Sequence, residues 1–311
     1  MKNKKTRYMT ILTAAIALSL TSCVKDELFN TPHPDLGAVI VTTDWSAKSA
    51  EAEIPQNYTL RMGTEEQAAS GIINTFKTLL PQGSYELTAY NTPEHIGISG
   101  NTATVGESEP GYMEPMPGYL FSAHQTIDVM ADDTLKVTVP VKQLVRLLNV
   151  ELTVTEGDYN RVQSATATLD GVASRIDIVT GERTTAAKSL NTLVQNGNKF
   201  TTSFRLLGII PTASQKLTVS ILFTNGDTQQ IESNISDKLA DFNDRTEAKT
   251  LTGELKNVLK EIVDGEDKRK PYTDDELVEL MNKKGYQIAR RTIAKYRQLL
   301  DIPVARLRRE V

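Results

Sequence analysis

The chain has 311 residues, about two average domains at roughly 150 residues each and long enough to bury a substantial core. Hydrophobic residues make up 39%, charged residues 24%, and the net charge is −4, values that exclude a disordered acidic tail, a collagen-like fibre and a polytopic membrane protein. One cysteine cannot close an internal disulfide, and three scattered histidines do not build a His-rich metal site. Charge is unevenly spread. Residues 1–255 hold 21 Lys+Arg against 29 Asp+Glu, a net of −8, whereas residues 256–311 hold 14 against 10, a net of +4. Such a split points to two parts with different partners.

The amino terminus reads as a targeting device over 1–22. Lys2, Lys4, Lys5 and Arg7 precede an apolar run from Met9 to Leu20, followed by Thr21-Ser22-Cys23. A basic start, about a dozen apolar residues and small residues before a cut describe a secretory signal peptide, and the run is too short for an ordinary membrane span. Leu20-Thr21-Ser22-Cys23 resembles the bacterial lipobox, in which the cysteine is lipidated and becomes the first residue. Acyl chains on Cys23 would anchor the protein to a membrane, at about 0.8 kcal/mol per buried methylene. Val24-Lys25-Asp26-Glu27 resembles the acidic export signal of Bacteroidetes surface lipoproteins; a solvated linker over 23–36 is the alternative.

From Gly37 to Gly253 the pattern is mainly β. Tyr58–Met62, Tyr85–Tyr90, Leu135–Val139 and Val150–Val154 alternate apolar and polar residues, which puts one face on a core and the other in water. Leu217–Phe223, the turn Thr224-Asn225-Gly226-Asp227 and a return through Ile231 read as a hairpin, since Asn-Gly suits the primed turns. Strands at this spacing indicate sandwiches. Residues Glu65–Leu80 fit a short helix or two further strands. The expected domains are 37–140 and 141–253, with Trp45 as a packing residue near the start of the first.

Catalytic and metal-binding patterns are missing from this stretch. His33, His95 and His124 stand apart from one another, and there is no G-x-S-x-G, no H-E-x-x-H and no glycine-rich phosphate loop. Asp132-Asp133 and Asp241-Phe242-Asn243-Asp244 are acidic turns without the ligand spacing of a calcium loop. The expectation is a protein that is not an enzyme and needs neither cofactor nor metal. Leu79-Leu80-Pro81-Gln82-Gly83-Ser84-Tyr85 with Ala89-Tyr90-Asn91, Gln143–Asn149 with Leu169–Ala173, and Ala240–Asp244 with Leu251-Thr252-Gly253 resemble the fimbrillin-like lipoproteins of Bacteroidales. That resemblance spans about 20–253. It implies two transthyretin-like β-sandwich domains and an anchor or accessory role among fimbrial subunits at the outer membrane. It also implies one more strand after Leu-Thr-Gly.

The carboxyl end is of another class. Leu255, Val258, Leu259, Ile262 and Val263 recur at helical spacing. After the charged run Glu266–Lys270 and Pro271, Thr273-Asp274-Asp275-Glu276 forms a capping box, with Leu277, Leu280 and Met281 on the apolar side of the helix it starts. Gly285 suits the end of that helix. A second helix is expected over Ala289–Leu300, stopped by Asp301-Ile302-Pro303, so 254–311 reads as a small all-α helix-turn-helix domain. At about 100° per residue from Arg290, residues Ala289, Ile293, Tyr296 and Leu300 share one arc, whereas Arg297, Arg290, Ala294, Arg291 and Lys295 share the other.

Ala289-Arg290-Arg291-Thr292-Ile293-Ala294-Lys295-Tyr296-Arg297 resembles the ARRTVAKYR box of the sigma-54 transcription factor family, departing only at Ile293. The resemblance implies that this helix reads the −24 promoter element and assigns DNA contacts to Arg290, Arg291, Lys295 and Arg297. RNA polymerase core would be a partner only of a complete sigma factor. A lipidated, exported chain does not meet promoters, and its cytoplasmic alternative does not need Cys23. The two halves therefore imply a chimera with its junction near Gly253–Lys256, from recombination or from an assembly or gene-calling error.

Overall fold

The computed structural model describes residues 35–154, 159–254, 262–283, 289–299 and 302–310. The leader, Cys23, His33, Leu255, Val258, Leu259, Gly285 and Leu300 lie outside the described residues. Strands run in chain order as β1 (Leu36–Asp44), β2 (Asn57–Met62), β3 (Glu65–Ser70), β4 (Ile73–Thr75), β5 (Leu80–Pro81), β6 (Gly83–Tyr90), β7 (Ile96–Ser99), β8 (Thr102–Val105), β9 (Glu107–Glu109), β10 (Tyr112–Met113), β11 (Phe121–Val129), β12 (Thr134–Pro140), β13 (Lys142–Gln143), β14 (Arg146–Thr153), β15 (Val162–Asp177), β16 (Arg183–Thr192), β17 (Val194–Asn196), β18 (Lys199–Leu206), β19 (Lys216–Phe223), β20 (Thr228–Asn234) and β21 (Lys249–Glu254). The helices are α1 (Ser236–Leu239), α2 (Asp274–Lys283), α3 (Arg290–Leu299) and α4 (Ala305–Arg308).

The first β unit packs the sheet β13-β11-β6-β2-β3 against β12-β1-β4, with β5 also paired to β1. Period-two patterning drives this layering. Every second residue of β1 is buried, and Val39 and Val41 join Leu60, Leu87, Phe121 and Val139 in one core. Trp45 is buried as expected. Its ring meets Tyr58 and Phe121 edge-on at 5.7 and 5.4 Å, and Nε1 donates to Thr43 Oγ1 at 2.8 Å, which satisfies the one polar atom of a large buried ring. The undecided stretch Glu65–Leu80 is strand. Gly63, at φ 60°, turns β2 back into β3 with a register from Asn57↔Ser70 to Met62↔Glu65, a conformation that glycine adopts without steric cost.

The second β unit pairs the sheet β20-β19-β15-β16-β10-β9, with β8 on β15 and β7 on β8, against the sheet β17-β18-β14-β21. Leu148, Leu169, Ile176, Phe204, Leu206 and Phe242 form its core. The span drawn from sequence as 37–140 is therefore interrupted. Residues 96–113 leave the first unit and build strands of the second, with Thr102–Thr104 antiparallel to Arg175–Asp177, and Ile96, Ala103, Val105 and Met113 belong to the second core. The physical reason is exposed edge: β15 is 16 residues long, β19 covers only its first half, and β8 covers Arg175–Asp177 at its far end. Where the excursion meets the first unit, Arg61 of β2 donates to Gly100 O at 3.0 Å and also pairs with the Asn101 side chain.

Two of the sequence patches that resemble fimbrillin-like proteins, the one around Arg146 and Leu169–Ala173 and the one over Ala240–Asp244 and Leu251–Gly253, meet in this second unit, whereas Leu80–Ala89 belongs to the first. Arg146 Nε donates to Arg245 O at 2.7 Å and Nη1 to Leu144 O at 2.9 Å. Burial lowers the Arg146 pKa to about 10; the neighbouring Arg183 adds to the shift and Asp244 opposes it. Asn243 clips Ile209 by accepting from its N–H at 2.8 Å and donating to its carbonyl at 2.9 Å. Gly208 passes between at φ 137°, where a Cβ would run into Arg183 and Asn243. These residues position backbone rather than perform chemistry. Strand β21 runs parallel to β14 from Leu148↔Lys249 to Thr153↔Glu254. It is the last strand in its sheet's order.

Among the described residues no helix is long and apolar enough to cross a membrane. Glu86 takes the His124 ring at 2.8 Å, Glu94 lies 3.4 Å from His95, and the Asp241 carboxylate is occupied by Arg245 at 2.9 Å and by Lys249.

Candidate nucleic-acid interface

The tail has a core of its own. Ile262, Val263, Leu277, Met281 and Ile293 are buried together, with Tyr272, Leu280, Tyr296 and Ile302 packed around them. Helix α2 starts as the capping box requires. Thr273 Oγ1 accepts from Glu276 N at 3.3 Å, and Glu276 Oε2 accepts from Thr273 N at 2.8 Å, so two amides at the helix start find partners. The Thr273 N–H, and after it the Thr273 hydroxyl, lower the Glu276 pKa.

Two ion pairs close the unit. Glu266, whose side chain is fully buried, accepts from Arg308 Nε at 2.7 Å, Arg308 Nη2 at 2.9 Å and Tyr272 N at 2.9 Å, with Lys268 Nζ at 3.2 Å. Burial by itself would raise its pKa, but these hydrogen bonds outweigh it and hold the carboxyl below the usual range. Asp274 takes Arg297 in a two-pronged pair, Nε–Oδ1 2.6 Å and Nη2–Oδ2 3.0 Å, and Arg297 Nη1 reaches Ile302 O at 3.1 Å.

This geometry revises the site read from sequence. Arg297 is 5% exposed and fully engaged, so it fastens α3 to the start of α2 and to the segment after α3. It does not belong to the exposed basic arc. Helical angle alone could not separate it from Arg290, because only the position of α2 decides which side of that arc is covered. Arg290 and Arg291 are exposed, with Arg290 3.4 Å from Asp275. Lys295 is half-exposed and its Nζ lies 3.0 Å from Asp227 Oδ1, in the turn between β19 and β20. Ile293 is completely buried, as its arc predicts, whereas Ala289 is exposed. The Glu266–Arg308 pair went unread, since only the fold brings positions 42 apart together.

What remains is a ten-residue helix presenting two exposed arginines beside small and polar residues. Arginine can bind guanine O6 and N7 together, and Lys and Arg neutralise phosphates. The family described as "Sigma-54, DNA binding domain" matches residues 213–310. The helical tail fills only the later part of that match; residues 216–254 carry β19, β20, α1 and β21 of the sandwich. A candidate RNA polymerase sigma-54 factor from Clostridium kluyveri is 44% identical over 48 residues, covering 15% of this chain and 11% of that protein. The RNA polymerase sigma-54 factor of Escherichia coli is 35% identical over 57 residues, covering 18% of this chain and 12% of that protein. The chain thus spans about a tenth of the length of these curated relatives.

The β units match a different class. A candidate adhesin from Bacteroides ovatus shares the fold with a TM-score of 0.55 at 14% identity, over 75% of this chain and 95% of that chain. The chain therefore joins a mainly β, adhesin-type fold to a carboxyl-terminal segment of sigma-54 DNA-binding type.

Proposed function

We propose that residues 35–254 form a non-catalytic structural subunit of a surface fimbria, held at the outer membrane by lipid on Cys23. The observation that carries this reading is the adhesin-type fold, shared at a TM-score of 0.55 over 95% of that chain, beside the small share of the matched sigma factors present in the tail. The signal peptide also acts first, since it is read during synthesis and decides where everything after it goes. Sandwiches with two packed cores and ion-paired acidic turns suit a mechanical role better than a chemical one. Labelling cells with a fatty-acid probe and fractionating their membranes tests this. Wild type should label and sediment with the outer membrane, and Cys23→Ala should do neither. Equal labelling of the two would remove the anchor.

A second reading attaches to the tail. We infer that residues 262–310 retain duplex recognition of the −24 type, with Arg290 and Arg291 at the base edges and Lys295 at a phosphate once freed from Asp227. Binding to RNA polymerase core belongs to a complete sigma factor and is not assigned to this tail. The two readings place the chain in different compartments, outer membrane for the first and cytoplasm for the second. Fractionation of cells carrying the whole chain separates them.

A further inference from the structure

We propose that the outer face of β15, β19 and β20 is a docking surface for α3, and that in the intact chain it screens the DNA-reading helix from duplex DNA. The proposal rests on the sigma-54 reading of α3. Two contacts between helix and sheet, and a brace within the turn, carry it. Lys295 Nζ meets Asp227 Oδ1 at 3.0 Å. Asp227 is held ready for that contact: Asn225 donates to its other oxygen at 3.0 Å and accepts from its backbone N–H at 3.1 Å. The Tyr296 hydroxyl is buried beside Gln229 of β20 without a completed hydrogen bond. Between helix and sheet lies a cleft of about 580 Å³, lined by Ser164, Thr166, Ser220, Gln229, Gln230 and Thr292.

The chemistry of this contact makes it reversible. Thr292 and Ala289 of the helix face mostly hydroxyls and amides of the sheet across an open cleft, with a single exposed ion pair at its rim, and exposed pairs contribute little. The Asp227 carboxyl is nonetheless pulled below its usual range, first by Lys295 and then by Asn225. Docking also occupies the side that DNA needs. A helix with its side chains is about 10–12 Å across, and the major groove is about 12 Å wide. A reading helix therefore has phosphates on both flanks. Taking Arg290 as zero, Arg290 and Arg291 sit at 0° and about 100°, whereas Lys295 and Thr292 sit at about 140° and 200°. The sheet lies against that second flank, where one phosphate strand would run. The unit that carries it, residues 96–113 and 141–254, holds 12 Lys+Arg against 15 Asp+Glu, a net of −3, so it offers the DNA backbone no net attraction.

The test uses the full chain in detergent. A carbodiimide joins a lysine amine to a carboxylate only in direct contact, so a Lys295–Asp227 amide mapped by mass spectrometry reports docking without DNA. A −24-type promoter duplex should reduce its yield. Asp227→Asn/Gln229→Ala should bind that duplex about fivefold tighter than wild type, the upper range for one exposed pair. Glu151→Gln, which removes one charge from the opposite sheet, should change affinity much less. Absence of the cross-link overturns the docking. A cross-link together with equal duplex affinity in wild type, the double variant and Glu151→Gln overturns the screening. A cross-link with no duplex binding in either wild type or the double variant overturns the sigma-54 reading, and the screening with it, while leaving the docked geometry standing.

Discussion

Replacing Glu266 with alanine separates the tail's stability from that of the sandwiches. The Glu266 carboxylate is fully buried and is the charge partner of Arg308, itself 5% exposed at its side chain. Removing one member of such a pair costs about 3–5 kcal/mol, because the remaining charge is left desolvated. Arg308 lies on the four-residue helix α4 between the exposed Leu307 and Arg309 and can swing toward water, which places the expected loss near the lower limit, about 3 kcal/mol. Units of this size hold only about 3–5 kcal/mol in total. At roughly 4–8 °C per kcal/mol the tail's midpoint should fall by about 12–24 °C. Two probes tell the parts apart. The single tryptophan, Trp45, reports the first β unit, whereas the described helices of eight or more residues, α2 and α3, lie in the tail and dominate the signal at 222 nm. Glu266→Ala should shift the 222 nm transition and leave the Trp45 fluorescence transition in place. Glu266→Leu/Arg308→Met should recover most of the loss, since an apolar pair carries no stranded charge. Equal 222 nm transitions for wild type and Glu266→Ala, or an equal loss in the exposed Glu310→Ala, would refute the clamp.

Acid should act through the same group. The Glu266 pKa is lower folded than unfolded, so its contribution is complete above the unfolded carboxylate value and disappears as pH falls through the folded one; a pH titration at 222 nm should show the tail melting in acid, and Glu266→Gln should flatten that dependence. Arg297→Lys should weaken the tail by about 1–3 kcal/mol in urea unfolding, because an ammonium cannot reproduce the two-pronged contact with Asp274, and it should leave base preference among bound duplexes unchanged. Arg290→Ala or Arg291→Ala should do the reverse, leaving the unfolding midpoint in place and costing about 1–3 kcal/mol of discrimination for a GG step in a duplex titration. Gly208→Ala should cost more than about 2 kcal/mol, since φ 137° excludes a side chain and the new Cβ strikes Arg183 and Asn243; hydrogen exchange should show deprotection in β18 and β15 with β1 and β11 unaffected.

Local chemistry was legible from the chain alone. Alternation at Tyr58–Met62 and Tyr85–Tyr90 marks strands because a pleated chain shows its faces in turn, whatever it pairs with. Thr273 and Glu276 mark a helix start because the box closes within four residues. The box from Ala289 to Arg297 likewise lies in one short contiguous stretch. Tertiary structure decided what depends on distant partners. Residues 96–105 alternate like any other strands, and only their pairing with the far end of β15 places them in the second unit. Arg297 and Arg290 are the same residue type on one arc of α3, and the placement of Asp274 makes one a buried fastener while the other stays exposed. Asp227 is a hairpin-turn residue by sequence, and becomes a partner for Lys295 only because the helix rests on that sheet. Periodicity records which side of an element faces inward; it carries no record of which distant charge will be waiting there.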